Sequence, residues 1–156
     1  MSLARILVDG YSLLHAWLEL APGRPRFSAA ARDELIHWLT RYQDATGTPI
    51  SLFFDGSQPI RNTCIRSTPQ VEILYSRAGQ TADSMIERVT HRLLPYGPVL
   101  VVTDDHAEQD TVTALGGMTA SCANFIGMVG SALGSLEEDV QRFNRRAQQG
   151  FSRPRT

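Results

Sequence analysis

The chain has 156 residues, of which 42% are hydrophobic and 20% charged, and its formal net charge is -1. That length fits one domain with a core large enough to stand without disulfides, and the composition is that of a globular chain rather than a disordered one. A near-neutral chain has no global basic field for nucleic acid, and because all 15 basic residues are Arg, lysine Schiff-base and P-loop chemistry are excluded.

Cys64 and Cys122 stand apart, with no CxxC and no zinc-type Cys/His spacing, which predicts reduced thiols in a reducing compartment. The first residues run into a strand-like stretch with no apolar leader, and no apolar run reaches the length of a membrane span. The expectation is a cytoplasmic protein without a membrane partner, a monomer or weak dimer.

In chain order, Ala4 to Asp9 reads as a buried strand stopped by Asp9-Gly10. Helix-like spacing follows over Tyr11 to Leu20, until Ala21 to Pro25 breaks it. Ser28 predicts the cap of an amphipathic helix with Leu35, Trp38, Leu39 and Tyr42 on one face, ending near Gly47. Pro49 to Phe54 is a second apolar strand, again stopped by Asp-Gly, and a polar loop from Ser57 to Pro69 leads to a third strand at Val71 to Tyr75. Thr81 to Leu94 has the apolar stripe Met85, Ile86, Val89 and Leu93 of a helix. Pro98 to Val102 is a fourth strand, His106 to Leu115 a short helix closed by Gly116-Gly117, and Met118 to Ala120 a brief fifth strand. Ser121 caps a last helix that becomes an Arg-rich tail from about residue 135. No repeat or linker divides the chain, so residues 1–156 read as a single domain.

Strands alternating with helices predict an α/β fold with a mostly parallel sheet covered on both faces. Ligands of such sheets bind beyond the carboxyl ends of the strands, where strand order reverses. Asp9, Asp55 and Asp105 each follow an apolar strand, and Asp83 lies in the first turn of a helix with Glu87 one turn on. Each taken singly has an ordinary explanation: Asp-Gly makes turns, Asp83 complements a helix dipole, and Asp105 with Glu108 resembles a helix cap. Their shared placement at one edge is the informative feature. A converging cluster with no Lys to neutralise it calls for protons or a bound cation, and hard oxygen ligands favour Mg²⁺ or Mn²⁺.

Four segments in this order, over about Arg5 to Phe125, resemble the YacP-like branch of the NYN nucleases within the PIN-like group. They are Ile6-Leu7-Val8-Asp9-Gly10-Tyr11-Ser12, Phe53-Phe54-Asp55-Gly56, Thr81-Ala82-Asp83 with Ile86-Glu87, and Val101-Val102-Thr103-Asp104-Asp105 with Glu108-Gln109. The resemblance implies a Rossmann-like, three-layer PIN/NYN fold and a metal-dependent endoribonuclease acting on RNA, free or on the ribosome. It implies Asp9, Asp83 and Asp105 as metal-binding acids, with Asp55 and Asp104 as accessory catalytic acids. Ser12 stands where the family carries Asn, and Asn124 where Glu is expected. The alternative is a module of the same fold that binds RNA or the ribosome without cutting. A phospho-acceptor receiver domain is excluded by the missing lysine and the single acid after the first strand, while a phosphatase for free nucleotides is a lesser rival.

RNA on a near-neutral chain needs a local cationic path. Arg61, Arg66 and Arg77 are the candidates near the acids, with Ser12 as a further substrate contact, and the tail adds Arg142, Arg145, Arg146, Arg153 and Arg155. His106, His37 and His91 read as surface or boundary residues, His15 near the first loop reads as such a residue before it reads as one lining the site, and Trp17, Trp38 and Tyr11 read as packing residues.

Overall fold

A computed structural model describes residues 2–56, 71–77 and 79–152. Arg61, Arg66 and Cys64 lie outside the described residues, as do Arg153 and Arg155. Five strands, β1 (Arg5–Asp9), β2 (Ile50–Phe54), β3 (Val71–Tyr75), β4 (Val99–Val102) and β5 (Met118–Ala120), pair in parallel in the order β3-β2-β1-β4-β5. Strand order reverses beside β1: the chain builds outward through β2 and β3, then returns to lay β4 on the other side of β1. The switch point is therefore between the carboxyl ends of β1 and β4.

The helices are α1 (Gly10–Ala16), α2 (Ala29–Thr46), α3 (Ala82–Leu93), α4 (His106–Leu115) and α5 (Cys122–Ser152). Alternate strand residues feed two separate cores, because successive side chains point to opposite faces of a sheet. Ile6, Val8, Ile50, Leu52, Phe54, Leu100 and Val102 pack with residues of α1, α2 and α5. Leu7, Phe53, Val99 and Val101 pack on the other face against Ala82 and Ile86 of α3 and Val112 of α4. Burial on both faces is why β1, β2 and β4 read as continuous apolar runs.

Local chemistry sets the helix ends. Ser28 Oγ accepts from Ala31 N at 3.2 Å and Thr81 Oγ1 from Ser84 N at 3.0 Å, each taking up an orphan donor of a first turn. The expected helix from Tyr11 to Leu20 is shorter than its apolar spacing predicts, ending at Ala16. Trp17 leaves helical geometry and Leu20 N donates back to Trp17 O, which turns Leu20 into the core and leaves Leu18 67% exposed. Tertiary burial of Leu20 overrides the i, i+4 pattern of Leu14 and Leu18.

Gly10 has a specific reason. It opens α1 directly behind Asp9, where a Cβ would come within 2.4 Å of the Phe54 ring and 2.8 Å of Phe53 O. The start of α1 can lie this close to β2 only without a side chain. Gly10→Ala is expected to destabilise the protein by about 1–3 kcal/mol, the usual cost of overpacking a filled site. Urea unfolding of parent and variant measures it.

Candidate metal centre

The carboxyl end of β1 delivers Asp9, which also caps α1. Its Oδ1 accepts from Ser12 N at 3.4 Å, and its Oδ2 accepts from Ser12 Oγ at 3.1 Å and from Thr103 Oγ1 at 3.4 Å. Thr103 is fully buried just beyond β4, so its hydroxyl reaches across the switch point. The same hydroxyl oxygen accepts from Asp105 N at 3.2 Å, which leaves its proton for Asp9.

Beyond β2, Asp55 Oδ1 accepts from Ala82 N at 2.6 Å. This bond ties the first turn of α3 to the strand end and thereby places Asp83. Beyond β4, three consecutive residues take three tasks. Thr103 holds Asp9, Asp104 Oδ1 accepts from Cys122 N at 2.9 Å at the start of α5, and Asp105 caps α4, its Oδ1 accepting from Ala107 N at 3.0 Å and Glu108 N at 3.4 Å.

The cap aims α4 so that Glu108 and Val112 face inward; Glu108 is 2% exposed. Asp9, Asp83 and Glu108 each offer an oxygen to a group whose ligand atoms lie within 4.8 Å of one another. A buried carboxylate beside two further acids, with no cationic side chain in the group, has the donor chemistry of a hard divalent cation site.

The sequence pattern of the YacP-like NYN domain matches residues 6–154. The chain belongs to the YacP-like NYN domain family. It is 27% identical over 138 residues to the uncharacterized protein YacP of Bacillus subtilis (strain 168), covering 88% of this chain and 81% of that relative. It is also similar to two crystal structures of Rae1 (YacP) from Bacillus subtilis. One, of a W164L mutant, has a TM-score of 0.75 at 27% identity and covers 93% of this chain and 85% of its own. The other has a TM-score of 0.76 at 25% identity and covers 94% and 84%. The five-stranded parallel sheet with helices on both faces is the PIN-like fold of those structures.

Within this NYN domain, the acids named from the sequence occupy different positions. Asp9 and Asp83 converge. Asp105 lies outside their group, exposed and engaged in capping, and Asp55 and Asp104 each hold the first turn of a helix. Glu87 is half-buried on α3 and also outside the group. Ser12 gives both its N–H and its hydroxyl to Asp9. Arg77 is exposed just past β3, on the same edge of the sheet as the acids. Asn124 is exposed in the first turn of α5, and His106 is exposed with Nδ1 3.2 Å from Gln109 Oε1.

Glu108 is the residue that sequence reasoning missed, having been read as part of a cap. The usable signal was its spacing: it lies four residues before Val112, on the stripe where a short amphipathic helix demands apolar residues.

The electrostatics follow from burial and crowding. Burial pushes Glu108 from 4.5 up to about 9; a proton shared with the Asp83 carboxylate, and then the charges of Asp83 and Asp9, push the same way, against the nearby Thr103 hydroxyl. Asp9 is raised chiefly by burial, against the lowering effect of the Ser12 N–H and with Asp83 raising it further. Burial, then Asp104 and Asp9, push Cys122 up to about 12, so this thiol is no nucleophile. The folded state therefore holds the Glu108 proton more tightly than the unfolded chain does. Its contribution to metal-free stability is complete below pH 4.5 and is lost as pH rises through about 9. Thermal unfolding in chelator should show Tm falling across that window, and Glu108→Gln should flatten the fall. A parent protein whose Tm is level there would contradict the site.

Proposed function

We propose that this chain is a divalent-metal-dependent endoribonuclease hydrolysing RNA phosphodiester bonds at the carboxyl edge of its sheet. The observation that carries the reading is the Asp9, Asp83 and Glu108 group, whose ligand oxygens lie within 4.8 Å of one another with Glu108 buried. Membership of an NYN family supports the nuclease class. Asp9, Asp83 and Glu108 would hold Mg²⁺ or Mn²⁺, which supplies a lowered water pKa and charge stabilisation at phosphate. Asp105 would stand at the rim, holding α4 in place.

The chain's own residues supply orientation. Ser12 and Thr103 fix the Asp9 carboxylate from two directions, so its ligand geometry is set before substrate arrives. Asp55 fixes the first turn of α3 and hence Asp83. Arg77 provides a cation on the acid edge, and Arg142, Arg145 and Arg146 are exposed on α5 at helical spacing that puts them on one face. Among the described residues no helix is long and apolar enough to cross a membrane. A cytoplasmic site of action, on free or ribosome-held RNA, agrees with the buried free thiol of Cys122.

Cleavage of a mixed RNA pool in Mg²⁺ or Mn²⁺, against chelator, tests the reading. Asp9→Asn and Glu108→Gln should each reduce cleavage to background, and Thr103→Val should lower it about 10- to 100-fold by freeing Asp9. Asp105→Asn keeps a capping side chain and should retain cleavage; its loss would make Asp105 a ligand. RNA bound but uncut by the parent chain under every metal would leave a binding module of the same fold.

Arg77→Ala should weaken RNA binding across sequences and lower the salt slope by about one. Titrations at several salt concentrations measure it, and an unchanged slope would remove Arg77 from the RNA path.

A further inference from the structure

The first turn of α1 carries Tyr11 two residues after Asp9, and His15 follows one turn later on the same face. Phe27, from the loop between α1 and α2, sits against both. Its ring meets Tyr11 edge-on at 5.6 Å and 77°, and lies nearly parallel to His15 at 6.5 Å and 11°. The Tyr11 ring is taken up between Phe27 and Phe54, which it meets edge-on at 5.3 Å. Phe54 in turn stacks on Tyr75. A chain of aromatics thus runs from the core beside β2 out to Phe27, which is 48% exposed.

A single exposed Phe is ordinary. Here the ring is held from two sides, its neighbour His15 is exposed, and Arg24 and Arg26 precede it in the same loop, both exposed. Arg26 Nη1 lies 3.1 Å from His15 Nδ1. A guanidinium can only donate, so Nδ1 accepts and the imidazole proton sits on Nε2. The surface therefore offers an aromatic face, an N–H donor and two cations with spare donors. His15 lies six positions after Asp9, about 9 Å of helix rise, so the surface lies within the span of a nucleotide flanking the acids. Next to it, the loop borders an open pocket of about 220 Å³ lined by Trp17, Leu18 and Arg24 among others.

We propose that Phe27, His15 and Arg26 form a subsite that stacks one unpaired base of RNA next to the cleaved phosphodiester, with Arg26 and Arg24 on its phosphate. The proposal rests on the nuclease reading for the position of the cleaved bond. Aromatic rings stack on any base, whereas paired bases present no free face. The subsite therefore selects single-stranded RNA without selecting sequence. It also places two cations beside a group of acids that would otherwise repel the phosphate backbone.

The test uses the full chain with Asp83→Asn, so that RNA stays intact, and short single-stranded RNAs carrying 2-aminopurine at one position at a time. Fluorescence should be quenched at one position or two adjacent ones. Phe27→Ala should abolish that quenching and weaken binding about tenfold, Phe27→Trp should restore both, and Tyr96→Ala should change neither. Tyr96 is 81% exposed just before β4, at the opposite end of the sheet. Parent-like binding by Phe27→Ala, or quenching that survives it, would overturn the subsite; a surface serving a protein partner gives that result. Position-specific, Phe27-dependent quenching by a protein whose Asp83 form leaves RNA uncut in Mg²⁺ and Mn²⁺ would keep the base-stacking surface and remove the nuclease reading instead.

Discussion

Repulsion among Asp9, Asp83 and Glu108 is the constraint around which the carboxyl edge of the sheet is organised. Their ligand oxygens lie within 4.8 Å of one another. Two unit charges 4 Å apart repel by roughly 1 to 4 kcal/mol for effective dielectrics of 80 to 20. Burial of Glu108 adds a desolvation cost to any charge it carries. A fold that holds such a group must grip each acid from outside it. Asp9 is gripped by Ser12 and Thr103, the α3 turn bearing Asp83 by Asp55, and the helix bearing Glu108 by Asp105. Protonation of Glu108 relieves the repulsion when no cation is present. Function and stability accordingly make opposite demands on the same carboxyl, since a hard cation requires it ionised.

The acidic residues next to the site are therefore not interchangeable. Thr103-Asp104-Asp105 occupies three successive positions beyond β4, and each residue makes a different connection: to β1, to α5 and to α4. Losing any of these hydrogen bonds loosens a connection between two elements. Negative charge at helix starts is favourable in itself, so Asp105 and Asp104 stabilise α4 and α5 while adding negative charge beside the cleft.

On the flank, the aromatic chain from Tyr75 through Phe54 and Tyr11 to Phe27 links the packing of β2 to an exposed surface beside the acids. Gly10 is part of the same arrangement. The absence of a side chain there lets α1 settle on the Phe54 ring, which in turn sets where Tyr11 meets Phe27. Rigidity in the core thus reaches the place where a flexible single strand would need a fixed ring to stack on.

Strand positions, the parallel sheet and the convergence of Asp9 with Asp83 were legible in the sequence. Apolar runs stopped by Asp-Gly and a helical stripe after Thr81 are local patterns with one physical meaning. Asp105 and Glu108 were not, because an Asp with a Glu three residues on fits a cap whose Glu reaches back as well as it fits a helix aiming that Glu inward. Propensity is the same for both, and only the packing of α4 on α3 and β5, with Val112 in the core, decides which face turns in. The end of α1 was likewise undecided locally, since Leu18 and Leu20 compete for one place in the core. The sequence by itself determined which acids stand at strand and helix ends; the tertiary structure alone decided which carboxylates share a cleft and which are engaged as caps, because burial is a property of how elements pack and not of the elements.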